Sequence, residues 1–146
     1  MVARGLSYSV GNENSPADPW GRSDLVVLAD GSARLDHHFS RRHGSRCWTG
    51  QVADCALDQI WAALDRAGFP DLPGLGTVAA DAALCRLSVE GDGVARRLFV
   101  ARHHAAKLPG YAEAFDLLDA VIRQLSQDAV TYPAVREPIV ADVRPA

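Results

Sequence analysis

The stretch Leu25-Val26-Val27-Leu28-Ala29-Asp30-Gly31-Ser32-Ala33-Arg34-Leu35-Asp36-His37-His38-Phe39 decides the fold class. Leu25 to Ala29 is an aliphatic run of strand length. Asp30-Gly31 follows it, a pair that accepts the positive φ angles a hairpin turn demands. Beyond the turn Ala33, Leu35, His37 and Phe39 share one face, while Arg34, Asp36, His38 and Ser40 share the other. That period of two is the signature of a strand with one buried face. Upstream, Leu6, Tyr8 and Val10 alternate with Ser7 and Ser9 in the same way, and residues 11–21 are rich in turn formers. Downstream, a short strand is expected from Arg46 to Val52.

The period then changes. Leu57, Ile60, Trp61, Leu64 and Ala67 fall at helical spacing, with Asp54 as the expected cap and Gly68 and Pro70 as the stop. A second hairpin pairs Leu84–Val89 with Val94–Ala101 around Glu90-Gly91-Asp92-Gly93. A second helix carries Tyr111, Phe115, Leu118, Ile122 and Leu125 on one side, with Glu113, Asp116, Asp119 and Arg123 largely opposite. Two amphipathic helices each require an apolar surface, and an antiparallel sheet provides one. The expectation is an α+β domain over residues 1–126: a mainly antiparallel sheet of five to six strands with both helices on one face. Residues 127–146, with three prolines, form a tail that is either frayed or laid over the body.

Several of these residues resemble the DUF6438-like family of small bacterial domains. The resemblance is carried by Asp30-Gly31 in the early hairpin, the helix ending Ala67-Gly68-Phe69, Asp81 ahead of the strand Leu84–Val89, and the closing helix from Tyr111 to Leu125. It covers most of residues 6–125. Members often carry a cysteine–proline motif near the first strand, where this chain reads Leu6-Ser7-Tyr8-Ser9-Val10. The resemblance implies a fold and no activity.

Composition narrows the function. With 146 residues, 48% hydrophobic and 23% charged, the chain suffices for one ordinary globular domain. No apolar run approaches the roughly 20 residues of a membrane-spanning helix, and the first residues lack a signal-peptide core, so a cytoplasmic protein is expected. Cys47, Cys55 and Cys85 cannot all pair, and buried free thiols are the simplest reading. The net charge of −3 is too small to advertise nucleic acid. Its distribution is uneven: residues 34–46 hold Arg34, Arg41, Arg42 and Arg46 against only Asp36, together with His37, His38 and His43.

Candidate chemistry is sparse. His37, His38, His43 and Cys47 are metal-ligand types, but neighbours on a strand point to opposite faces, so His37 and His38 cannot share an ion, and no metal or cofactor is expected. His103 or His104 would serve a small hydrolase as general base, yet no serine sits in a Gly-x-Ser-x-Gly elbow. Gly74-Leu75-Gly76 lacks the remainder of a phosphate loop. The favoured expectation is a non-enzymatic protein-binding domain, of immunity or adaptor type, that meets an acidic partner through Arg34, His38, Arg41, Arg42, His43, Arg46 and Trp48. The alternative is a single-stranded RNA module in which Arg96, Arg97 and Arg102 adjoin Arg41 and Arg42, with Trp48 and Tyr8 stacking on bases. Histidines and arginines turned inward around a deep cleft would favour catalysis instead.

Overall fold

The first strand in sequence lies inside the sheet, not at its edge. In the computed structural model, which describes residues 4–11, 21–39, 44–70, 84–91, 93–105, 107–130 and 132, six strands form one antiparallel sheet. They are β1 (Gly5–Gly11), β2 (Arg22–Val27), β3 (Ser32–His38), β4 (Ser45–Gln51), β5 (Leu84–Gly91) and β6 (Val94–Ala101). The helices are α1 (Asp54–Ala67), a single turn α2 (Arg102–Ala105) and α3 (Pro109–Leu125). The order across the sheet is β4-β3-β2-β1-β5-β6. A meander of four strands is thus extended on the far side of β1 by the later β5–β6 hairpin. This is the α+β architecture that the alternating and helical periods predict.

Local chemistry explains the principal turn. Val27 pairs with Ala33, and Gly31 adopts φ 89°, a left-handed conformation open to glycine. The Ser32 N–H donates to the Asp30 carboxylate at 2.9 Å. A side chain at Gly31 would meet the Val52 carbonyl at 2.7 Å, so the turn requires glycine twice over.

One face of the sheet is buried. Tyr8, Leu25, Leu35, His37, Cys85, Leu87 and Val100 point into it, and α1 and α3 cover it with Ile60, Leu64, Phe115, Leu118 and Ile122. Tyr8 stacks on Phe115 at 5.7 Å between ring centroids. Gly68 ends α1 with φ 84°, as its place in the sequence predicts. The start of α1 differs from expectation: Ala53 occupies the cap without a side-chain bond, and Asp54 is the first helical residue. There its carboxylate still faces the positive end of the helix.

Two other expectations change. Asp119, assigned to the solvent side of α3, is only 8% exposed and accepts a hydrogen bond from the Tyr8 hydroxyl at 2.9 Å. Of the three free thiols only Cys85 is buried, because Cys47 lies on edge strand β4 and Cys55 on the first turn of α1. Past α3 the chain does not leave the body at once: Val130 is buried, and the Tyr132 hydroxyl lies 2.8 Å from Ser23 Oγ. Expectations for the turn-rich residues 12–20, residues 71–83 including Asp81, the Gly74-Leu75-Gly76 segment and residues 133–146 fall outside the described residues. Among the described residues no helix is long and apolar enough to cross a membrane.

Candidate functional site on the open sheet face

Strand alternation sends every second side chain to the face the helices leave uncovered. The registers align these residues in two rows. One runs Thr49, Arg34, Val26, Ser7, Ser88, Arg97, and the other Cys47, Asp36, Asp24, Ser9, Arg86, Phe99.

The two halves of this face differ electrostatically. On β2 and β3 the cations are matched. Arg34 grips Asp36 through Nε at 3.0 Å and Nη2 at 3.2 Å, a two-pronged pairing that holds the Asp36 carboxyl below its ordinary value and raises that of Arg34. Asp24 receives Arg22 Nη2 at 3.2 Å and the Ser9 hydroxyl at 2.6 Å, and lies 3.2 Å from His38 Nε2. Cys47 is beside the Arg34–Asp36 pair. Its thiol is pushed up by lost hydration and by its hydrogen bond to Asp36, so it is a poor nucleophile at neutral pH.

On β1, β5 and β6 the cations are unmatched. Arg86 lies over the Phe99 ring at 5.0 Å, and Arg97 is exposed. Among the described residues neither forms an ion pair, including with Glu90 at the hairpin end of the same face. Ser7 and Ser88 are direct partners on the adjacent strands β1 and β5. Together with Ser9, Arg86, Arg97 and Phe99 they line an open depression of about 380 Å³.

The residues expected at the hairpin do not form one surface. Arg34 and His38 lie on the open face, whereas Arg46 and Trp48 pair with His37 and Leu35 and so belong to the helix-covered side. There the Arg46 guanidinium sits 4.7 Å from the half-buried Trp48 ring. Arg41, Arg42 and His43 fall outside the described residues. The expected stacking role of Tyr8 is overturned, because its ring is fully buried under α3. β3 and β6 are four strand spacings apart, about 19 Å at the usual ~4.8 Å per step, so the two hairpins do not adjoin.

His37 and His38 point to opposite faces, as strand alternation requires. Among the described residues no group of three His, Cys, Asp or Glu converges as metal ligands would. A serine–histidine pair does occur: Ser23 Oγ is 2.7 Å from His37 Nδ1 and also meets Tyr132. Both residues are buried beyond the reach of a substrate (0% and 1% exposed), so the pair ties the sheet to the chain after α3. His104 has an enclosed Nε2 with no hydrogen-bond partner among the described residues, and the side chain of His103 falls outside them.

The sequence reading names Arg97 on the second hairpin but misses Arg86, although a signal for it was there. Arg22-x-Asp24 and Arg34-x-Asp36 are same-face neighbours on a strand, whereas Arg86 is followed at that spacing by Ser88. The chain matches no known family model, and a search of curated proteins returns no match. The resemblance to DUF6438-like domains therefore rests on the residues quoted for it.

Proposed function

We propose that this chain is a non-catalytic, cytoplasmic binding domain, of immunity or adaptor type, that takes an acidic protein partner on the β1–β5–β6 half of its open sheet face. The observation that carries this reading is the pair Arg86 and Arg97, two guanidinium groups with no carboxylate partner among the described residues, beside the Ser7 and Ser88 hydroxyls. Guanidinium groups next to an exposed aromatic ring are favoured anchors at protein interfaces. The basic segment 34–46 fits the role less well, since its described open-face arginine, Arg34, is already matched by Asp36.

Single-stranded RNA fits less well too. Sheet surfaces that read RNA stack two or three bases on neighbouring aromatic rings, whereas the rings on the described open face, Phe99 on β6 and His38 on β3, stand four strand spacings apart.

The test is a titration of isotope-labelled protein with hexaglutamate and, separately, with hexauridylate, followed by amide chemical shifts. Hexaglutamate should move Ser7, Arg86, Ser88 and Arg97, and Arg86→Glu with Arg97→Glu should abolish the response while circular dichroism stays unchanged. A response to hexauridylate alone would replace this reading with the RNA one. No response to either would remove both.

A further inference from the structure

The sheet ends at β6, and that edge differs from an ordinary guarded one. Among the described residues no strand lies beyond it, and Val94, Ala95, Arg96 and Arg97 are exposed in succession. A free edge presents a row of backbone N–H and C=O groups ready to pair. Natural edges are commonly protected by charge, and Arg96 and Arg97 supply charge to both faces, since neighbours on a strand alternate. Yet two large apolar side chains flank them, Val94 at 51% exposure and Phe99 at 45%. Protection alone does not call for exposed apolar residues on the guarded strand.

The geometry points to β6 as a docking edge that accepts an extended acidic peptide as a seventh, antiparallel strand. This mode rests on the reading that the acidic partner binds at the β1–β5–β6 end of the face. Every pairing already in the sheet is antiparallel, so the added strand continues the pattern. Residues opposite each other on adjacent strands share a face and interact directly. Opposite Arg96 and Arg97 the peptide needs two consecutive carboxylates, one for each face. Opposite Phe99 it needs an apolar residue. Read in the antiparallel direction, the recognised sequence is apolar, any residue, acidic, acidic.

The same arginines disfavour the competing occupant, a second copy of this chain. Two β6 strands paired antiparallel about their centres would set Arg97 opposite Leu98 and Arg96 opposite Phe99, leaving Arg96 of each copy a diagonal same-face neighbour of Arg97 of the other, within reach of like-charge repulsion. Pairing β6 with β4 of another copy would add Arg46, again a cation. An acidic strand is therefore selected and self-association opposed by one pair of residues.

Strand addition has a signature that side-chain docking lacks. The probe is the octapeptide Thr-Thr-Val-Thr-Glu-Glu-Thr-Thr, capped at both ends, with binding read by fluorescence anisotropy against the full chain. Two further versions carry N-methyl groups on alternate backbone amides, one on the odd and one on the even positions. Only one of these sets faces β6. One version should bind at least tenfold more weakly than the parent, and the other within about twofold. Replacing both glutamates by glutamine should also cost tenfold or more. Equal binding by the two methylated versions would overturn strand addition while leaving the acidic-partner reading intact, because hexaglutamate shifts test that separately. No binding of the parent peptide at millimolar concentration would overturn it as well, as would a β6-mediated dimer of the unliganded chain in sedimentation.

Discussion

Gly110→Ala sets two physical effects of opposite sign against each other at the junction of the two long helices. Gly110 lies in the first turn of α3, and a methyl group there would stand 2.7 Å from both Cα and Cβ of Ala67 and 2.9 Å from its backbone nitrogen. Carbon atoms prefer about 3.5–4.0 Å, so the end of α1 and the start of α3 must separate by about 1 Å. Two of the three atoms are backbone, which cannot turn aside. Overpacking of this kind costs about 1–3 kcal/mol. Alanine gains at most about 1 kcal/mol in helix propensity over glycine, and less in a first turn. Packing therefore wins, with a net destabilisation of about 1–2 kcal/mol. With a urea m-value near ~2 kcal/mol/M, the midpoint should fall by about 0.5–1 M. Adding Ala67→Gly removes one of the three contacts and should restore only part of the loss. A midpoint raised by Gly110→Ala would show that the helices do not meet backbone to backbone, and would refute the reasoning.

Other consequences are open to measurement. Tyr8→Phe keeps the ring on Phe115 but removes the hydroxyl that binds the Asp119 carboxylate, so stability should drop by about 1.5–3 kcal/mol, the usual cost for a hydrogen bond to a charged group; a melting temperature within 1 °C of the parent would contradict that role. The native state lowers the carboxyl of Asp36, through Arg34, and that of Asp30, through the Ser32 N–H, from the ordinary 3.8. The folded state therefore favours the ionised forms, and their contribution is complete above that value and disappears as pH falls through the lower folded one. In urea titrations at several pH values, the gap between the parent and Arg34→Gln should be largest near neutrality and close as pH drops below 3.8; a gap undiminished at pH 2 would exclude the ion pair as its source. A thiol reagent should reach Cys47 and Cys55 in the native protein and Cys85 only after unfolding, so two groups titrate before denaturant and three after it.

The elements were legible where a period was strong and a terminator sharp. Leu25–Phe39 announced a hairpin because one face is wholly apolar save His37 and the turn contains Asp30-Gly31. The stripe from Leu57 to Ala67 stopped at Gly68 because only that residue accepts φ 84° without strain. Strand order was not legible. The pairing of β1 with β5 depends on residues some eighty positions apart, and alternation reveals a buried face without naming the neighbour. Asp119 misled because a carboxylate was taken as a mark of solvent, whereas a tyrosine hydroxyl meets it inside. The candidate site was partly legible: its residue types were seen, but whether an arginine is neutralised depends on which strands lie side by side.

The interior position of β1 has a consequence for biogenesis. Its meander partner β2 begins about ten residues after it, at Arg22, but the strand that covers its other side begins at Leu84, about seventy residues after it. At translation rates of roughly 5–20 residues per second, that flank stays bare for about 4–15 s on the ribosome. During this interval the nascent chain offers Leu6, Tyr8 and Val10 beside an open backbone ladder, a species prone to mispairing. Chaperone dependence and yield should therefore respond to how quickly codons between β4 and β5 are read.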